Sequence, residues 1–289
     1  GTNVSNTVVY IYQNGTLIVG GASGNFSTTD DTSSNNWSAG TFVDTKTDTQ
    51  NVTLNTTSID STTKLLLHMN GTDGATSTTD FSPSNHSITF VGDAHINTSE
   101  SKFGGSAVKF DGSGDYLSIP DSADWDFGSG DFTIDFWARW DNDVSHKFIL
   151  SQGTSENVNS FYFQFIQSGN ILFQANTGSP VISFTNAWSG REINTWYHFA
   201  MSRSGNDFKM FIDGSQIGTT ATDSSAMPDL SADLKIGRLT SAEEFAGYLD
   251  EIRISKGTAR WTANFTPPTR EYPLYYSKGN YTSQVFDAG

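Results

Sequence analysis

Thr195-Trp-Tyr-His-Phe-Ala-Met-Ser-Arg-Ser-Gly-Asn-Asp-Phe-Lys-Met-Phe-Ile-Asp-Gly-Ser-Gln-Ile-Gly-Thr-Thr-Ala221 reads as three consecutive β-strands. Ser204-Gly205-Asn206-Asp207 closes the first run. In the second, Phe208, Met210 and Ile212 recur at period two. Asp213-Gly214 then supplies residues that tolerate the positive φ of a tight hairpin turn. The product is an antiparallel meander with Phe208, Met210 and Ile212 on one face and Lys209, Phe211 and Asp213 on the other. That apolar face needs a covering layer, most simply a second sheet drawn from elsewhere in the chain.

The composition suits such an architecture. Among 289 residues there are 27 Gly, 13% aromatic and only 16% charged residues, with abundant Ser, Thr and Asn. Many short strands joined by tight turns have this texture, and the pattern predicts one large all-β domain with appendages. No stretch approaches the roughly 18–20 apolar residues of a membrane span, and no leader-like segment precedes Gly1. A soluble chain without membrane insertion, processed or a fragment, is the expectation. The net charge of −15 argues against nucleic acid and anionic membrane surfaces as partners, because phosphate binding draws on clustered Lys and Arg. With no cysteine there are neither disulfides nor thiolate metal sites.

Three segments follow from the order of elements. Residues 1–63 form a β-rich N-terminal arm: Thr7–Tyr12 and Thr16–Val19 flank Asn14-Gly15, a strong hairpin signal, and Thr41–Asp44 and Asn51–Leu54 read as further short strands. The arm has too few large apolar residues for a core of its own. From Lys64 a regular succession of strands begins: Lys64–Met69, Ser87–Val91, Ala107–Phe110, Tyr116–Ile119, Phe132–Arg139, Lys147–Gln152, Phe161–Gln167, Asn170–Ala175, Trp196–Ser202, Phe208–Ile212, Leu234–Ile236 and Gly247–Ile254. In the last, Tyr248, Asp250 and Ile252 alternate with Leu249, Glu251 and Arg253, so a carboxylate is forced toward a buried layer and needs a partner. Residues 271–289 hold Leu274–Tyr276 and Tyr281–Phe286, strands without an obvious partner nearby.

Asn-x-Ser/Thr sequons occur at Asn3, Asn14, Asn25, Asn36, Asn51, Asn55, Asn70, Asn85, Asn97, Asn264 and Asn280, with none from 98 to 263. Eleven is about double what the Ser and Thr content yields by chance, and it marks these asparagines as candidate N-glycosylation sites.

Several pieces in order resemble a known family: Lys102-Phe-Gly-Gly-Ser-Ala107, Phe110-Asp-Gly-Ser-Gly-Asp-Tyr-Leu117, Asp131-Phe-Thr-Ile-Asp-Phe-Trp137, Phe211-Ile-Asp-Gly214 and Gly247-Tyr-Leu-Asp-Glu-Ile-Arg-Ile254. From about Lys64 to Arg270 the chain resembles a laminin-G-like, concanavalin A-like domain, similar to modules of phage tail and prokaryotic surface proteins. The resemblance implies a jelly roll of two facing antiparallel sheets. It also implies a Ca²⁺ ion at the sandwich edge, with Asp80 and Asn85 in one loop, Asn70 before them and Asp250 from the late strand as ligands. Hard oxygen donors suit that ion. The competing reading makes Asp80 and Asn85 turn residues and pairs Asp250 with an arginine such as Arg253.

For carbohydrate, an aromatic platform is expected, with Trp188 in the loop-like Asn186–Gly190 as the first candidate and Phe245 and Tyr248 after it. Trp137, Trp140, Trp196 and Trp261 read as core or interface aromatics. Catalysis lacks its residues: no Glu-x-Asp-x-x-Glu pair for glycoside hydrolysis, no Gly-x-Ser-x-Gly elbow and no zinc helix. His198, in a core strand, reads as structural.

Two functional classes remain. The first is a non-catalytic structural subunit of a cell-surface or virion appendage, self-associating through its terminal strands. The second is a calcium-dependent carbohydrate-binding adhesin module. Unpartnered terminal strands favour the first.

Overall fold

The computed structural model describes residues 8–13, 16–22 and 59–272, apart from 142–146, 157, 167–168, 189, 191 and 241–242. In chain order the strands are β1 (Val8–Gln13), β2 (Thr16–Ala22), β3 (Thr63–Leu67), β4 (Thr89–Val91), β5 (His95–Asn97), β6 (Ala107–Asp111), β7 (Tyr116–Ile119), β8 (Phe132–Trp140) and β9 (Lys147–Gln152). There follow β10 (Ser160–Ile166), β11 (Asn170–Asn176), β12 (Pro180–Ala187), β13 (Trp196–Ser204), β14 (Asp207–Ile212), β15 (Ser215–Thr222), β16 (Leu234–Ile236) and β17 (Ala246–Lys256). Among the described residues no helix is long and apolar enough to cross a membrane.

The chain divides into two compact units. In the first, β1 and β2 pair antiparallel around the Asn14-Gly15 turn position, as that dipeptide predicts. The predicted strands at Thr41–Asp44, Asn51–Leu54, Leu274–Tyr276 and Tyr281–Phe286 lie outside the described residues. The second unit, Thr56–Ser277, is an all-β sandwich. One sheet has seven strands in the order β12-β11-β10-β9-β16-β7-β4. The other has eight, β15-β14-β13-β8-β17-β6-β5 with β3 alongside β17.

The opening stretch supplies β13, β14 and β15, paired antiparallel as read. Phe208, Met210 and Ile212 enter the core between the sheets with Phe132, Ile134 and Phe136 from β8, and Phe161, Phe163, Phe165 and Phe173 meet them from the seven-stranded sheet. Two strands escaped the sequence pattern. β5 has three residues, and β12 starts at Pro180 and alternates Ile182 and Phe184 with Ser and Thr, the composition of an edge strand. Asn186 and Ala187, expected in a loop, therefore close a strand.

The late strand departs from simple alternation. Glu251 has φ 50, and the β17 to β8 register shifts between Asp250 and Arg253. This bulge turns Ile252 and Ile254 to the core face that Leu249 already occupies, so Asp250 and Ile252 do not share a face. Glu251 and Arg253 are left on the outer face of the eight-stranded sheet. That face is covered by residues 257–272, whose Trp261 and Phe265 rings stack at 4.1 Å and lie 5.5 and 5.7 Å from His198.

Beneath this strap, Arg253 pairs with Asp135, the Tyr272 hydroxyl donates to Asp135, and His68 Nδ1 lies 2.6 Å from Glu251 Oε1. The Tyr272 N–H donates to Glu251 Oε2 at 2.7 Å. Two tethers thus lie outside the expected span of 64–270: Tyr272, and Asp60, which accepts from Arg260 Nη2 at 2.9 Å.

Candidate functional site

The residues expected to hold calcium are placed as follows. Asp80 is buried, and its Oδ1 accepts the N–H groups of Leu66 and Ser82, both at 2.9 Å. Its Oδ2 accepts the Ser82 hydroxyl and the His86 N–H at 2.8 Å and faces His86 Nδ1 at 2.9 Å. Asp250 is buried elsewhere, with Oδ2 accepting the N–H groups of Lys102 and Phe103 at 2.9 and 3.0 Å and Oδ1 that of Glu251 at 2.9 Å. Arg253 pairs with Asp135 instead.

Asn70 is exposed and donates through Nδ2 to Glu271 at 2.6 Å, and Asn85 is an exposed turn residue at φ 49. Five internal partners on Asp80 and three on Asp250 leave few lone pairs for a cation that takes six to eight oxygens, so this set does not fit Ca²⁺. Among the described residues no group of three or more His, Asp or Glu is placed to hold a metal.

The expected sugar platform is dispersed. Trp188, half-buried just past β12, packs its ring 4.9 Å from Tyr197 and 5.4 Å from Phe199. Phe245 is wholly buried, 5.8 Å from Trp140, so it offers no face to a ligand. Tyr248 is buried under the Lys109 ammonium at 4.2 Å and the Arg139 guanidinium at 5.2 Å. Of the sequons on described residues, Asn85 and Asn264 are exposed and Asn97 is half-buried with its Oδ1 accepting the Ser99 N–H. Asn3, Asn14, Asn25, Asn36, Asn51, Asn55 and Asn280 lie outside them.

The arrangement best suited to a ligand is the outer face of the seven-stranded sheet. Thr89 pairs with Ser118, Ser118 with Lys235, Lys235 with Ser151, Ser151 with Tyr162, Tyr162 with Gln174 and Gln174 with Ser183. Their strand neighbours Phe90, Leu117, Leu234, Leu150, Phe163, Phe173 and Ile182 all turn into the core, so these seven side chains turn outward. One row of hydroxyl, amide and ammonium groups thus crosses every strand at right angles, over about 29 Å at the usual strand spacing.

The segment after β16 bridges the row at its middle. Ser151 Oγ donates to the Arg238 carbonyl at 2.6 Å, and Leu239 packs with Phe148, Tyr162 and Leu172. Ser118 and Lys235 on one side and Gln174 on the other stay half-exposed, with Thr89 and Ser183 exposed at the two ends. At one lateral edge a cleft of about 220 Å³ opens between β12 and β15, floored by Phe184, Phe208, Met201 and Met210 and rimmed by Ser183 and Asn186. Sequence reasoning missed the row because register between distant strands is not written in any local pattern.

A laminin-G family model of the concanavalin A-like lectin/glucanases superfamily matches residues 111–262. No curated protein sequence matches the chain. Among solved structures, the chain is similar to domain 4 of AbnA, a GH43 extracellular arabinanase from Geobacillus stearothermophilus, in complex with arabinotriose. The TM-score is 0.52 at 15% identity, over 68% of this chain and 93% of that one. It is also similar to the receptor binding domain of botulinum neurotoxin D, with TM-score 0.54 at 16% identity over 70% of this chain and 51% of the other. The binding domain of botulinum neurotoxin DC in complex with rat synaptotagmin II gives 0.52 at 13% over 70% and 50%. The chain spans about half the length of these toxin domains, and at such identities the likeness is one of fold.

Proposed function

Because the chain belongs to the concanavalin A-like lectin/glucanases superfamily, we propose that it is a non-catalytic carbohydrate-binding module that takes an extended glycan along the outer face of the seven-stranded sheet. The observation that carries this reading is the polar row from Thr89 to Ser183, open on both sides of the bridge that Arg238 and Leu239 lay over Ser151 and Tyr162. Hydroxyls and amides at strand spacing match the hydroxyl-rich edge of a polysaccharide, where each displaced water is replaced by an equivalent hydrogen bond.

Support for binding without hydrolysis comes from the strands themselves. Glycosidases set two carboxyl groups about 5–9.5 Å apart across the scissile bond, and the seven strands contain no Asp or Glu. The similar AbnA domain, crystallised with arabinotriose, adds a precedent in fold, and its extracellular enzyme supports the same setting or a cell or virion surface here. Of the terminal strands, β1 and β2 pair with each other and the rest lie outside the described residues, so the glycan reading replaces assembly through them as the main one.

The test is a glycan array probed with the whole chain and with a Gln174→Ala, Ser183→Ala double variant. Binding to an oligosaccharide by the wild type, weakened about tenfold in the variant, is the expected result for two lost hydrogen bonds. An array on which the wild type binds no sugar refutes the proposal.

A further inference from the structure

The absence of carboxylates from the seven strands is unusual for a chain with 31 acidic against 16 basic residues. Strands of the facing sheet carry Asp111, Asp135, Asp207, Asp250 and Glu251. The only formal charges on the seven strands are the lysines Lys147 and Lys235.

Lys235 sits inside the polar row, opposite Ser118 on β7 and Ser151 on β9, and its ammonium makes no hydrogen bond or ion pair among the described residues. Burial, and then the charge of Arg238, lowers its affinity for the proton, with Asp233 acting the other way. Asp233 is itself engaged, accepting the Ser118 hydroxyl at 2.7 Å. Three residues past Lys235, the Arg238 guanidinium lies 4.8 Å from the centre of the Tyr116 ring. Its Nη1 is 3.2 Å from Glu244 Oε1, and the other oxygen of Glu244 accepts the Gly114 N–H at 2.6 Å. Buried Glu244 thus fixes Arg238 from behind. Tyr116 and Ser118, two apart on β7, point the same way as Lys235. Two like charges are held beside a hydroxyl and an aromatic ring, and for one of them, Lys235, the nearby Asp233 acts from beyond ion-pair distance.

Resting on the glycan reading above, we propose that the half of the face formed by Tyr116, Ser118, Lys235 and Arg238 selects a sugar bearing a negative charge, a uronate carboxylate or a sulfate ester, with Lys235 as its pairing cation. An anion there answers the Lys235 ammonium and relieves its repulsion from Arg238. The Tyr116 ring, partly shared with the guanidinium, offers an edge for the sugar's C–H groups. Exclusion of carboxylates from the strands limits repulsion on this face to Asp233 and Glu244, which reach it from the flanking segments and sit against Ser118 and Arg238.

The experiment is calorimetric titration of the whole chain with a galacturonate trimer, a sulfated disaccharide and neutral arabinotriose, for the wild type, Lys235→Gln and Lys235→Arg. Melting curves confirm that each variant is folded. The expected result is binding of an acidic probe that weakens as salt is raised, falls about tenfold in Lys235→Gln and is largely kept in Lys235→Arg. Whichever acidic probe binds identifies the source of the charge. Equal affinity for neutral and acidic probes, or loss of neutral binding alone in Lys235→Gln, overturns this selectivity and leaves the glycan reading standing. A wild type that binds none of the three while binding other neutral glycans on the array has the same meaning.

Discussion

The Arg253 guanidinium grips the Asp135 carboxylate at two points, Nε to Oδ1 at 3.0 Å and Nη2 to Oδ2 at 3.2 Å, on adjacent strands of the eight-stranded sheet. Both side chains are buried, and the Tyr272 ring lies 3.7 Å from the same guanidinium. The strap is therefore fastened through Tyr272, whose hydroxyl donates to Asp135 and whose ring lies on the Arg253 guanidinium, rather than by apolar contact alone.

Replacing Arg253 by Met leaves Asp135 charged and buried. Burial acts to raise the Asp135 carboxyl, but the charge of Arg253 and the His198 contact outweigh it and hold the group below its ordinary value. We expect Arg253→Met to cost about 3–5 kcal/mol in urea unfolding, and Arg253→Met with Asp135→Asn to cost clearly less, since the uncompensated charge is gone. Equal losses in the two variants contradict a paired charge.

Asp250 has the opposite disposition. Burial pushes its carboxyl well above the ordinary 3.8, against the backbone N–H groups of Phe103 and Lys102, and the charge of Glu251 adds to the rise. In the folded chain it keeps its proton at pH values where the unfolded chain has lost it, so its contribution falls as pH rises from the unfolded value through the folded one. Asp250→Asn is neutral throughout. Its melting temperature, followed upward from about pH 4, is expected to decline less than that of the wild type, and parallel curves argue against a proton on Asp250.

Calcium is expected to leave the melting temperature unchanged, because Asp80 and Asp250 spend their oxygens on internal donors. A rise with millimolar calcium, reversed by chelation, contradicts that placement.

Gly214, at φ 74, lies so close to the strap that an added Cβ falls 1.8 Å from the Phe265 carbonyl oxygen, while Gly178, at φ 99, has nothing within 4 Å. Both positions disfavour a side chain conformationally by about 1–2 kcal/mol. Gly214→Ala carries a backbone collision in addition, so it is expected to lower stability by at least about 3 kcal/mol. Thermal unfolding of the two variants separates strain from collision, and equal losses count against the close approach.

What could be read beforehand was local. Period two in Phe208–Ile212 located the core face, Asn14-Gly15 located a hairpin, and the ordered motifs from Lys102 to Ile254 indicated the sandwich. The same alternation failed at Glu251, where a bulge without Gly or Pro to announce it changes which side chains point inward. Asp250 was legible as a buried carboxylate in need of partners, but its partners are backbone groups of Lys102 and Phe103, which no spacing reveals. Trp188 and Phe245 looked like platform aromatics because a loop position and a buried corner share the same residue types. The polar row was hidden for a different reason: Lys235 lies between Ser118 and Ser151 only because β16 is inserted between β7 and β9.

Asp60 on the incoming side is fastened to Arg260 of the strap over the eight-stranded sheet, and Tyr272 on the outgoing side to Glu251 of β17 in that sheet. The chain therefore enters and leaves the sandwich at its back, away from the acid-free sheet. Such a module can be spliced into a longer polypeptide like a bead with both thread holes on one side. A pull along the thread is borne by the Arg260 and Glu251 fastenings before it reaches the apolar core between the sheets.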